Sequence, residues 1–179
     1  MAAALLGCAG PLAVSAAPAT ASACPGASLR PNGADAPAVT TATLCLINRI
    51  RAAHHVRPLR SNRALGHVAA GQLSSMVRRN YFADVRPSGQ TPMSLVRASS
   101  YRAHTAGLSV GENLAWGTGS YATPAHIVAE WMASPPHRQI MLSGEYRDAG
   151  VAVTAAVPSI LSPSRHGATY AIEFGVRWF

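Results

Sequence analysis

The closing stretch Thr169–Phe179, TYAIEFGVRWF, changes the period of the chain. Tyr170, Ile172, Phe174, Val176 and Trp178 alternate with smaller or polar residues, the period of two that predicts a half-buried strand. Just upstream, Gly150–Val157 (GVAVTAAV) reads as a second strand, and PSILSPSRHGA between them is turn material. The pair predicts a hairpin with a long tip. Gly111–Gly117, GENLAWG, is bracketed by glycines and reads as a further short strand.

Most of what precedes is helical in period. In VTTATLCLINRIRAAHH, from about Val39 to His54, residues Leu44, Ile47, Ile50 and Arg51 share one face. A second helix opens at Ser61 or Asn62 and aligns Leu65, Val68, Ala69, Leu73 and Met76. Thr91-Pro92 and Thr123-Pro124 each supply an N-cap followed by a proline at the first helical position, where its missing N–H costs nothing. In EWMASPPHRQIML, Glu130–Leu142, a helix meets two prolines and restarts at once. Ser134 is the expected cap there, its hydroxyl accepting the His137 N–H, and the positive end of the helix favours a neutral imidazole. Helices first and antiparallel strands after make an α+β domain with helices packed on a sheet.

Composition narrows the class of protein. The 179 residues are 49% hydrophobic and only 12% charged, which fits a folded domain and excludes a disordered chain. The net charge of +8 comes entirely from arginine, scattered without an aromatic-interleaved stripe, so no nucleic-acid partner is expected. Residues 1–23 carry no charge and end in Ala-Ser-Ala, the pattern of a secretory signal, and are too short and broken to span a membrane. Residues 24–38 form a Pro/Gly-rich lead-in, and residues 39–179 the domain. The expected location is secreted, extracellular. Cys8 leaves with the signal, and Cys24 and Cys45 most simply form one disulfide closing a loop of about 20 residues, with roughly 3 kcal/mol of stabilisation. A lipidated Cys8 or Cys24 is the alternative, and it fits less well: Cys8 lies too near the start, and Cys24 lacks a bulky residue three places before it.

Six blocks in order carry a resemblance: LCLINRIRAAHHVRPL, RRNYFADVRPSGQTP, VGENLAWG, WMASPPHRQIML, YRDAGVAV and YAIEFGVRWF. Together they resemble the CAP superfamily of cysteine-rich secretory, venom-allergen and plant pathogenesis-related proteins, in its bacterial secreted branch, from Thr41 to Phe179. The resemblance implies a three-layer α-β-α sandwich around a mainly antiparallel sheet. It also implies a cleft of two histidines and two acids that binds a divalent ion in several members. Glu112 matches one acid and His137 the second histidine; Asp84 stands where the first histidine falls, and Ser134 where the second acid falls. The implied cleft is therefore Asp84, Glu112, His137 and Ser134, with Glu112, His137 and Asp84 as candidate metal ligands.

An oxygen-rich set of this kind suits calcium or magnesium better than zinc. The competing reading is a polar cluster in which Glu112 and Asp84 orient His137 and Arg138. Of the other candidates, His54, His55 and His67 read as solvated, His104 and His126 flank the presumed cleft, and Asn113 fixes its loop. Trp116 and Trp131 read as core, and Glu173 sits on the polar face of the last strand, paired with an arginine. Three functions follow as expectations. One is a non-enzymatic extracellular binding module for a small apolar ligand, an envelope component or a partner protein. Another is a divalent-metal-dependent, peptidase-like hydrolase with His137 or Glu112 as base. The third is a structural exoprotein.

Overall fold

The structure is a computed structural model that describes residues 24–164 and 166–179. The expected signal segment, residues 1–23, and Cys8 within it lie outside the described residues. Among the described residues, five α-helices and two short 3-10 helices pack on a sheet of four strands. In chain order the α-helices and strands are α1 (Ala36–Ala53), β1 (Arg60–Ser61), α2 (Arg63–Arg79), α3 (Pro92–Arg97), β2 (Gly107–Gly117), α4 (Pro124–Ala133), α5 (Pro135–Leu142), β3 (Asp148–Thr154) and β4 (Ala168–Trp178). The sheet runs β1-β3-β4-β2; β1 lies parallel to β3, and the other two pairings are antiparallel. This is the expected α+β sandwich.

Local chemistry sets the helix ends. Asn62, not Ser61, caps α2: its side-chain oxygen accepts the N–H groups of Ala64 and Leu65. The same helix stops at Asn80, which takes the left-handed conformation with φ 55°. Thr91 and Ser94 exchange hydrogen bonds in a capping box at α3. Ser134 departs from expectation, because its hydroxyl caps nothing. Pro135 and Pro136 have no N–H, and the Arg138 N–H reaches the Ser134 carbonyl at 2.9 Å, so the first turn offers a side-chain cap only the His137 N–H, and the Ser134 hydroxyl does not take it.

β4 departs as well. It is buried from Ala168 to Gly175 on both faces, where a half-buried strand was expected. The even positions Tyr170, Ile172 and Phe174 face α1, α4 and α5, packing with Ile47, Ile127, Trp131 and Met141. The odd positions face α2 and α3: Ala171 packs with Ala69, Leu73 and Leu114, and Gly175 lies under the Tyr101 ring. Small odd-face residues let α2 approach closely, most tightly at Gly150 of β3, where a Cβ would collide with the backbone of Leu65 and Gly66. β2 is also longer than GENLAWG, running eleven residues against β4.

Two further ties hold the layers. Cys24 and Cys45 form the expected disulfide, fastening the lead-in to α1. Arg51, fully buried in α1, donates to the carbonyls of Arg57, Met141 (2.6 Å), Ser143 (3.1 Å) and Tyr146. One guanidinium thus satisfies the open end of α5 and the loop leading to β3, joining three segments through its planar fork. Burial and the nearby Arg147 lower its pKa, and no carboxylate bonds it. Arg51→Ala leaves those carbonyls without a donor and opens a cavity, and is expected to cost about 3–5 kcal/mol, read as a lower urea midpoint. Arg51→Lys, which lacks the fork, is expected to restore only part of the loss.

Candidate functional site

The β2–β4 register sets Glu112 directly opposite Glu173. Opposed residues of an antiparallel pair point to the same face, so two carboxyls meet beneath the layer of α2. Glu173 is 0% exposed and Glu112 8%. None of their four oxygens meets a protein donor. Asp84, exposed on the loop between α2 and α3, adds a third acid at the rim and raises both partners further.

The loop is pinned by buried Gln72 of α2, which donates to the carbonyls of Ala83 (2.8 Å) and Asp84 (3.2 Å). Arg86 donates its Nε–H to Gln72 at 2.9 Å, so it draws on Glu173 by charge without hydrogen-bonding it. The expectation that Glu173 lies on a polar face paired with an arginine is thereby corrected: β4 is central, and it has no polar face at that point.

Burial first, and then mutual repulsion, push the Glu112 carboxyl far above the ordinary range; burial does the same to Glu173. The two titrate as one unit. A proton kept on either supplies the donor that the other lacks. The pair is therefore a proton-holding carboxyl dyad under Asp84.

His137 does not join it. Glu112 and Asn113 point to opposite faces of β2, and it is Asn113 whose amide reaches the His137 carbonyl, at 3.1 Å. The groups that act on Glu112 are Glu173 and Asp84, with no imidazole among them. Arg138 turns to the Met132 carbonyl. The cluster in which Glu112 and Asp84 orient His137 and Arg138 is thus replaced by Glu112 with Glu173. Among the described residues no three His, Cys, Asp or Glu side chains converge where a metal ion could be held. The residues present do not fit the implied divalent ion, and no chemical step is routed through one. His126 pairs with Glu130 at 3.5 Å and packs edge-on against Tyr121. Trp131 is core, whereas Trp116 is 38% exposed.

A second feature lies at the other edge of the sheet. A groove of about 850 Å³ runs between α1 and α2, with β3 as its floor. Leu44, Pro37 and Thr40 form the α1 wall, Ala70, Gly66 and His67 the α2 wall, and Val151 and Val153 lie beneath. It exists because β1 pairs with only Asp148 and Ala149, while the two helices on opposite faces extend past that short strand.

The fold and these sites can now be set beside known proteins. Residues 44–156 match the profile of the cysteine-rich secretory protein family, CAP. The chain belongs to the CAP family. Protein YkwD of Bacillus subtilis is 29% identical over 106 residues, 59% of this chain and 38% of the relative, so this CAP chain spans well under half of that protein.

Among solved structures, an extracellular SCP-domain protein of Bacillus anthracis superposes with a TM-score of 0.63 at 21% identity, covering 78% of this chain and 40% of the other. An outer surface protein of Borrelia burgdorferi gives 0.60 at 17%, covering 75% and 89%. At these identities the likeness is one of fold. No described helix of this CAP chain is long and apolar enough to cross a membrane.

The dyad predicts a pH dependence. Unfolded, the two carboxyls ionise near their ordinary value of about 4.5; folded, they stay protonated well above it. The native state then binds more protons than the unfolded state, so stability falls as pH rises from about 4.5, by on the order of 1 kcal/mol per unit for each retained proton. Glu112→Gln removes one titrating group and gives Glu173 a permanent donor. Its melting temperature is expected to exceed that of the wild type at pH 8, with the difference closing towards pH 4.

Proposed function

We propose that this chain is a secreted, non-enzymatic CAP-domain module that binds an apolar ligand in the groove between α1 and α2. The observation that carries the reading is the groove itself. Its volume of about 850 Å³ lies in the range of small-molecule sites, and Pro37, Leu44, Ala70, Val151 and Val153 give it an apolar surface that Thr40, Asn48, Arg63 and His67 edge with polar groups. Export is supported by the Cys24–Cys45 disulfide, a bond that persists in oxidising compartments. It is supported too by the description of two fold neighbours as extracellular and outer surface proteins. Asp84, Glu112 and Glu173 then serve the fold as a proton-holding cluster beneath the opposite edge, and His137 and Ser134 shape the turn from α4 into α5.

Dodecanoate is a simple apolar probe, followed by titration calorimetry on the chain from Cys24. Ala70→Trp and Thr40→Trp each place an indole in the groove from one wall. Both are expected to weaken dodecanoate at least about tenfold, roughly 1.4 kcal/mol, while melting within a few degrees of wild type. Equal binding by all three proteins, or no heat from the wild type, overturns the reading.

A further inference from the structure

The floor of the groove is an open sheet edge. Asn62 N–H donates to the Ala149 carbonyl at 2.8 Å, and Arg60 N–H to that of Arg147 at 2.9 Å. Arg147, one residue before β3, divides its groups, its N–H going to Gly175 of β4 and its carbonyl to Arg60. Within the strand, the Ala149 carbonyl shows which way the odd-numbered residues direct their backbone groups: away from β4, towards the rim. Gly150, Ala152 and Thr154 face β4 instead, opposite Glu173, Ala171 and Thr169. By the alternation of an antiparallel ladder, Val151 and Val153 aim their N–H and C=O into the groove. Past Ala149, no described strand pairs with this edge. Such an edge is a template for another strand.

We infer that the groove receives an extended acidic-apolar peptide segment as an added strand on β3. This rests on the groove reading above and names the class of its ligand. The walls and the charge together choose the occupant. Gly150–Thr154 offers about 16 Å of edge, the length of a five-residue strand.

Side chains of an added strand point alternately to the two faces of the sheet, hence alternately to α1 and to α2. The α1 wall presents Pro37 and Leu44, whereas the α2 wall presents Arg63 and His67, and no acidic residue lines the groove. The matching sequence therefore alternates apolar side chains towards α1 with carboxylates towards α2. A second copy of this chain is disfavoured as occupant, because it would bring two molecules of net charge +8 together with Arg63 near the seam.

The probe is the capped pentapeptide acetyl-Val-Glu-Val-Glu-Val-amide, compared with its Val-Lys-Val-Lys-Val counterpart and with two versions N-methylated on alternate amides. Strand addition uses only every second peptide N–H, so one methylation pattern is expected to abolish binding and the other to leave it within about twofold. The lysine peptide is expected to bind at least about tenfold more weakly, and Arg63→Glu to reverse that preference while the fold is kept, since Arg63 is exposed at the start of α2. Hydrogen exchange should slow at the Val151 and Val153 amides when the glutamate peptide is present.

Equal binding by both methylated peptides, or by both charge types, overturns the inference. Dodecanoate binding without peptide binding overturns it too, and leaves the apolar-groove reading standing. Binding of neither removes both. A peptide-free dimer with its β3 amides already protected assigns the edge to a second copy and also overturns it.

Discussion

Burial of β4 on both faces is the constraint from which the other features follow. A strand between two neighbours and beneath helices on either side has no solvent face, so every residue from Ala168 to Gly175 must be accommodated by packing. The two faces solve this differently. One uses large side chains, Tyr170, Ile172 and Phe174, against α1, α4 and α5. The other uses Ala171 and Gly175, which lets α2 and the Tyr101 ring settle close to the backbone. Total apolar volume is shared unequally between the layers, and the thin side is where the polar exception stands.

That exception is Glu173, enclosed with Glu112. A buried carboxylate without a donor is costly, and two side by side are costlier still, so holding a proton is the inexpensive solution. The dyad thus exchanges stability at alkaline pH for a neutral, compact interior. Gln72 keeps the overlying loop in place, and Asp84 leaves the dyad in a negative field. The two faces of β2 divide the residues that the family resemblance had gathered into one cleft: Glu112 belongs to the α2 side, and the Asn113–His137 contact to the α5 side.

The same two-layer grip explains the far edge. α1 and α2 lie on opposite faces of the sheet, α1 packed on it through Ile47 and Val151 and α2 through Ala69, Leu73 and Ala152, while the disulfide and Arg51 anchor α1 to the lead-in and to α5. With β1 only two residues long, nothing fills the space between them beyond Ala149. Natural sheets cover or charge such an edge. Here the helices shield it laterally and leave it open along one line, which is the geometry of a receptor for an extended chain.

Much of this was legible in the sequence because it is local. Thr91-Pro92 and Thr123-Pro124 fix helix starts through capping chemistry that needs no distant partner, and the period of two in TYAIEFGVRWF marks a strand wherever it is placed. Cys24 and Cys45 are the two cysteines of the described residues, and they bond to each other. Sequence alone could not say that β4 is central. Its near-continuous run of buried-type residues, ATYAIEFGV, was the available signal, and alternation masked it, because small residues serve both an exposed polar face and a closely packed one. The partner of Glu112 was hidden for a related reason: register between β2 and β4 is set by side chains 61 positions apart, and only the assembled ladder places Glu173 opposite. The groove belongs wholly to the tertiary structure. It is the gap between elements, defined by where α1, α2 and a two-residue strand come to rest, and no residue type in the chain announces it.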